Sequence, residues 1–130
     1  MHQPDARYQD PAVTYSPPAI YERHAYVTRV VDGDTLHLMV DLGCDTSLAM
    51  TVRLSGLDAP EMNTIEGKAA KAYVEHWVAD NGPRFILRTE KDKREKFGRY
   101  LADLLPESGD SLCRSLLVFG YAHPYDGGAR

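Results

Sequence analysis

The sequence predicts an α+β protein: a five-stranded β-barrel with helices, in the order β-β-β-α-β-β-α. Three observations predict it. Apolar and polar residues alternate at period two through successive runs between residues 25 and 56. The period then lengthens to helical spacing over residues 66 to 79. Two further strand-like runs and a short helical segment follow. At 130 residues the chain has the size of one domain, and a chain of this size buries roughly two thirds of the surface it would expose unfolded.

Each element has a local reason. Residues 1 to 23 carry Pro4, Pro11, Pro17 and Pro18 and no periodicity, so we read a flexible N-terminal arm preceding a domain over residues 24 to 130. The run Ala-Tyr-Val-Thr-Arg-Val-Val-Asp from Ala25 is β-branched and strand-like. Asp32-Gly33 supplies a turn to the second strand. There Leu36, Leu38, Val40 and Leu42 take one face, and Thr35, His37, Met39 and Asp41 the other. A polar stretch from Gly43 to Ser47 leads to a third strand with Met50, Val52 and Leu54 opposite Thr51, Arg53 and Ser55. Ala70, Tyr73, Val74, Trp77 and Val78 then form a helical stripe, closed by Asn81-Gly82-Pro83. Residues 84 to 90 and 99 to 105 read as the fourth and fifth strands. Asp110 and Ser111 can cap a second helix with an apolar face of Leu112, Leu116 and Phe119, ended by Gly120. Five short strands with a helix between the third and fourth suit a Greek-key barrel of the OB type.

Composition excludes several classes. No apolar run reaches the roughly 20 residues of a membrane span, and the N-terminus lacks the apolar stretch of a signal peptide, so a cytoplasmic protein is expected, with release by lysis or unconventional export the alternative. Cys44 and Cys113 have no neighbouring partner for a disulfide framework or thiolate metal site. The net charge of −4 argues against coating nucleic acid by bulk charge. It is unevenly spread: residues 88 to 99 carry +3 and the remainder −7. The mixed run reads either as a solvated hairpin or as a phosphate-facing edge.

Two acidic clusters carry the chemistry, Asp32-Gly33-Asp34-Thr35 between strands and Asp58-Ala59-Pro60-Glu61 after the third strand. Singly, each is an ordinary turn. Together, two carboxylates from different loops and a nearby carbonyl can hold a hard cation such as Ca²⁺ or Mg²⁺ with water positions open. A third carboxylate can then orient or deprotonate a water. Arg53, on the polar face of the third strand, and Arg99, after Phe97-Gly98, each read alone as surface arginines. Beside the acids they are the forked cations that phosphoryl transfer needs.

The blocks Val-Val-Asp-Gly-Asp-Thr-Leu-His-Leu-Met-Val, Val-Arg-Leu-Ser-Gly-Leu-Asp-Ala-Pro-Glu and Lys-Phe-Gly-Arg-Tyr-Leu-Ala-Asp-Leu-Leu, in this order over about residues 25 to 126, resemble the staphylococcal nuclease (thermonuclease) family. The resemblance implies an OB-type barrel and Ca²⁺-dependent hydrolysis of DNA and RNA to 3′-phosphate and 5′-hydroxyl ends. It implies Asp34, Asp58 and the Ala59 carbonyl as Ca²⁺ ligands, with Asp32 in or near the surrounding shell. Glu61 would hold or deprotonate the attacking water. Arg53 and Arg99 would bind the scissile phosphate and stabilise the transition state, and Lys96 would meet a terminal phosphate. Phe97 stands where the family's type member has tyrosine, so a ring remains without its hydroxyl. The segment from Glu61 to Gly67 is shorter, and the Gly43 to Ser47 turn longer, than in that member. Tyr121 and Tyr125 lie near the family's nucleotide-stacking tyrosines, with C-terminal packing the competing reading. A monomer with DNA or RNA as substrate and no membrane partner is expected. The rival is a catalytically idle OB module that binds single-stranded nucleic acid or a protein. It leaves the joint presence of Asp34, Asp58, Glu61, Arg53 and Arg99 unexplained.

Overall fold

The structure is a computed structural model that describes residues 20–94 and 99–125. Residues 1–19 of the expected arm, and Lys96 and Phe97 among the expected substrate contacts, lie outside the described residues. Strands β1 (Ile20–Asp32), β2 (Thr35–Gly43) and β3 (Thr46–Leu54) are followed by a two-residue β4 (Leu57–Asp58) and helix α1 (Ile65–Asn81). Then come β5 (Phe85–Arg94), β6 (Tyr100–Leu105), helix α2 (Leu112–Val118) and a two-residue β7 (His123–Pro124). The five long strands close into a barrel in the order β1-β2-β3-β6-β5, with β3 and β6 parallel and the other pairs antiparallel. This is an OB-like α+β barrel with two helices among the described residues.

β1 serves two partners, which closure requires. Its first half pairs with β5 from Ile20 to Ala25 and its second half with β2 from Ala25 to Asp32. Register shifts between Val27 and Arg29 and between Val30 and Asp32 bend it from one neighbour toward the other. The boundary expected after residue 23 therefore falls inside a paired strand.

The alternating columns fill the barrel. Leu36, Leu38, Val40, Val52, Leu54, Leu87, Ala102 and Leu104 are all buried, and α1 adds Ala70, Val74 and Trp77. The columns reach solvent at the far end of the β2–β3 hairpin, where Leu42 and Leu48 are exposed. The α2 face is Leu112, Cys113 and Leu116, capped by the Ser111 hydroxyl accepting from the Arg114 N–H. Phe119 does not join that face. The helix stops at Val118, and Phe119 at the C-cap is 67% exposed. Burial, and next the charge of Asp103, push the Cys113 thiol far above its ordinary range.

Candidate active site

The site forms where β2, β3 and β6 run together under the start of α1. Thr35 and Arg53 are register partners across β2 and β3, and Arg53 is the partner of Leu101 across β3 and β6. Arg99 directly precedes β6. The Leu54 N–H donates to the Asp34 carbonyl (2.8 Å) and so pins the Asp-Gly-Asp-Thr turn to the end of β3.

The Asp34 carboxylate is the hub. Only 4% of the residue is exposed. Its Oδ2 accepts from the Ala59 N–H at 3.0 Å and lies 3.0 Å from Arg53 Nη2. Its Oδ1 accepts from the Thr35 hydroxyl at 3.2 Å. The same Arg53 Nη2 donates to Asp58 Oδ1 at 2.5 Å, so one guanidinium nitrogen joins carboxylates from the two acidic loops. The Arg99 Nη1 reaches the Thr35 hydroxyl at 3.5 Å. A continuous polar line thus runs Arg99, Thr35, Asp34, Arg53, Asp58.

Two features of that line are electrostatic. Asp32 accepts from the Asp34 N–H at 3.0 Å. Burial, then the neighbouring Asp34 carboxylate, hold the Asp32 carboxyl above its ordinary value. Arg53 Nε is buried and has no hydrogen-bond partner among the described residues. A charged donor buried without an acceptor is costly.

Glycines bring the loops together. A Cβ on Gly33 would lie 2.8 Å from the Cβ atoms of both Ala59 and Ala70. A Cβ on Gly67 would lie 1.8 Å from the Glu61 carbonyl oxygen. The first contact seats the Asp34 turn against the Asp58 loop and α1. The second seats α1 against the backbone of Pro60 and Glu61. The Glu61 carboxylate is exposed and makes no hydrogen bond or ion pair among the described residues, so its backbone sets its placement.

Asp34 and Asp58 offer carboxylate oxygens, the donor type that a divalent hard cation takes. Asp34 and Asp58 converge on Arg53 Nη2, and Asp34 Oδ1 has accepting capacity beyond its one hydroxyl. Among the described residues no group of three or more His, Cys, Asp and Glu forms a ready-made cage. The contact seen for Ala59 is through its N–H.

Of the residues singled out in the sequence, Asp32, Asp34, Asp58, Ala59, Arg53 and Arg99 meet along this line. Tyr121 stacks on Tyr73 of α1, with ring centroids 4.5 Å apart and planes at 21°. Tyr125 is tied by its N–H to the Gly56 carbonyl at 2.9 Å, at the entry to β4. Sequence reasoning missed Thr35, whose place in the Asp-Gly-Asp-Thr block was its signal. It also missed His123, which the β4–β7 register sets opposite Asp58. Nothing local signals that pairing.

No protein-family model matches the chain. It is similar to "Endonuclease YhcR" of Bacillus subtilis (strain 168), at 31% identity over 120 residues, covering 84% of this chain and 9% of that protein. It is 28% identical over 124 residues to "Uncharacterized protein MJ1439" of Methanocaldococcus jannaschii, covering 76% of this chain and 58% of that one. It is 27% identical over 103 residues to an "Uncharacterized endonuclease" of Escherichia coli O157:H7, covering 79% and 61%. The chain thus spans less than two thirds of each of these relatives. Relatives named endonuclease, at modest identity, and the five-stranded barrel together fit a nuclease family.

Proposed function

We propose that the chain is a metal-dependent phosphodiesterase that hydrolyses DNA or RNA, with Ca²⁺ as the ion and 3′-phosphate and 5′-hydroxyl ends as products. The observation that carries this reading is Arg53. Its Nη2 is committed to two carboxylates, while its buried Nε lacks an acceptor. An unmet buried donor costs roughly 1–3 kcal/mol, which favours a role in holding a ligand. A phosphate oxygen satisfies it.

The chemistry follows from the positions of the side chains. Asp34 and Asp58, with the Ala59 carbonyl, would hold the cation, which supplies positive charge against the phosphate and its attacking water. Arg53 offers Nε to one phosphate oxygen. Arg99, held toward Thr35, offers a second fork, and the pair stabilise charge that grows at phosphorus. Glu61 accepts a proton from water or orients it. Asp32 adds negative potential beside Asp34.

The test pairs single-turnover cleavage with equilibrium binding on single-stranded DNA, duplex DNA and RNA, in Ca²⁺, Mg²⁺, Mn²⁺ or EDTA, with analysis of product ends. Arg99→Lys keeps one charge but loses the fork. It should weaken oligonucleotide binding by no more than about 1 kcal/mol and lower turnover at least ~100-fold. Glu61→Gln should do the same. Cleavage undiminished in EDTA, or equal losses of affinity and kcat/KM with kcat unchanged, would overturn the assignment. A parent that binds but never cleaves is the idle OB module.

A further inference from the structure

The short connection between the Asp58 loop and α1 is built around one side chain, Thr64. It is the N-cap of α1, and its hydroxyl accepts from the Gly67 N–H at 2.9 Å. That is ordinary capping. The same hydroxyl donates to the Glu61 carbonyl at 2.6 Å, and the Thr64 N–H donates to that carbonyl at 3.0 Å. The Glu61 carbonyl is thus held twice by one residue. Gly67 lets the helix come close enough for this, since any Cβ there would strike that carbonyl oxygen. Capping alone requires an acceptor at position 64. The bond to Glu61 requires a donor as well.

We infer that Thr64 is a positioning residue for Glu61, its hydroxyl clamping the backbone that carries the water-handling carboxylate to the start of α1. The inference rests on the nuclease reading of Glu61. With no side-chain partner among the described residues, the Glu61 carboxylate has only its backbone to direct it. A misplacement on the order of 1 Å is enough to cost about 100-fold in rate. Loss of placement lowers kcat and leaves substrate binding nearly alone.

Three variants separate the clamp from the cap. Thr64→Ser retains donor and acceptor, Thr64→Asp retains only the acceptor, and Thr64→Val retains neither. Thermal stability should follow capping: Ser and Asp near the parent, Val lower. Turnover should follow the clamp: Ser near the parent, Asp and Val both lower in kcat by roughly 10- to 100-fold with KM little changed. The uncharged Val variant controls for the charge that Asp adds. Hydrogen exchange gives a readout without turnover. The Thr64 amide should stay protected in Ser and exchange faster in Asp and Val. A Thr64→Asp variant with parental kcat and parental exchange would reduce Thr64 to a cap and overturn the inference. Glu61→Gln, run alongside, distinguishes the two levels. If it keeps full kcat, the role of Glu61 itself fails, and Thr64 positions nothing catalytic. If it is inactive while the Thr64 variants match the parent, only the clamp fails.

Discussion

Asp32 is half-buried beside a second carboxylate, and its carboxyl group is held above the ordinary value of 3.8, first by burial and then by Asp34. A raised carboxyl pKa means that the folded state holds the proton more tightly than the unfolded state. Its stabilising contribution is complete below the ordinary value and is lost as pH rises through the raised one. At neutral pH the ionised Asp32 therefore opposes folding of the metal-free protein. Asp32→Asn keeps an oxygen for the Asp34 N–H and removes the charge. In EDTA, urea unfolding should show the variant more stable than the parent at pH 7. That advantage should shrink as pH falls toward the ordinary value. A gap independent of pH would show that Asp32 carries no such penalty. Arg53 makes the complementary point. Its residue type and strand face were legible, and they pointed to phosphate. Its sharing between Asp34 and Asp58 was not, because those partners come from separate loops that only the closed barrel brings together.

Among the elements, α1 does more than cover the barrel. It is the surface on which the two acidic loops are seated, through Gly33 against Ala59 and Ala70, and Gly67 against Glu61. Gly33 reads in the sequence as part of a turn. It is absent from the positive-φ glycines, and what it supplies is space. Gly33→Ala puts a Cβ against two others that are fixed to backbone, so the turn or the helix must move. The expected cost is about 1–3 kcal/mol of stability, the scale of overpacking, with turnover falling further than the loss of folded protein explains. Gly109→Ala is the contrast. Its φ of +104° makes alanine strained, but nothing lies within 4 Å and the site is elsewhere. Denaturant unfolding should register both variants, and cleavage per folded molecule only Gly33→Ala. The same division explains what the sequence revealed about elements. Period-two columns such as Leu36, Leu38 and Val40 announce their burial, because one barrel face determines them. The Phe119 ring fits a helical spacing yet falls beyond the last helical residue, and end effects of one turn are not visible in a periodicity.

At the scale of the whole molecule, the proposed nuclease activity would require a chain of net charge −4 to bring a polyanion to a cluster of carboxylates. Barrel closure and the β4–β7 pairing place Asp34 and Asp58 together in advance, and Arg53 bridges their two carboxylates. A divalent cation would take over part of that neutralisation, and a phosphate would supply the acceptor that Arg53 Nε lacks. Each ligand then improves the site for the other, which is a coupling free energy rather than two separate events. Ligands that bind only the folded state raise stability by mass action, about 2.7 kcal/mol at 100 times Kd. In a domain of this size that corresponds to a Tm increase of several degrees. We expect Ca²⁺ alone and a nucleoside 3′,5′-bisphosphate alone each to raise Tm modestly, and the two together to raise it by more than the sum. Asp34→Asn should remove the response to Ca²⁺ and the excess, while leaving a weak response to the nucleotide through Arg53 and Arg99. The measurement is a thermal melt at fixed ionic strength, because phosphate contacts are screened by salt. Shifts that merely add would mean that the ion and the phosphate occupy independent sites. A melt indifferent to both at saturation would mean that the Arg99-to-Asp58 line is structural, and that Arg53 Nε is satisfied by something other than a phosphate.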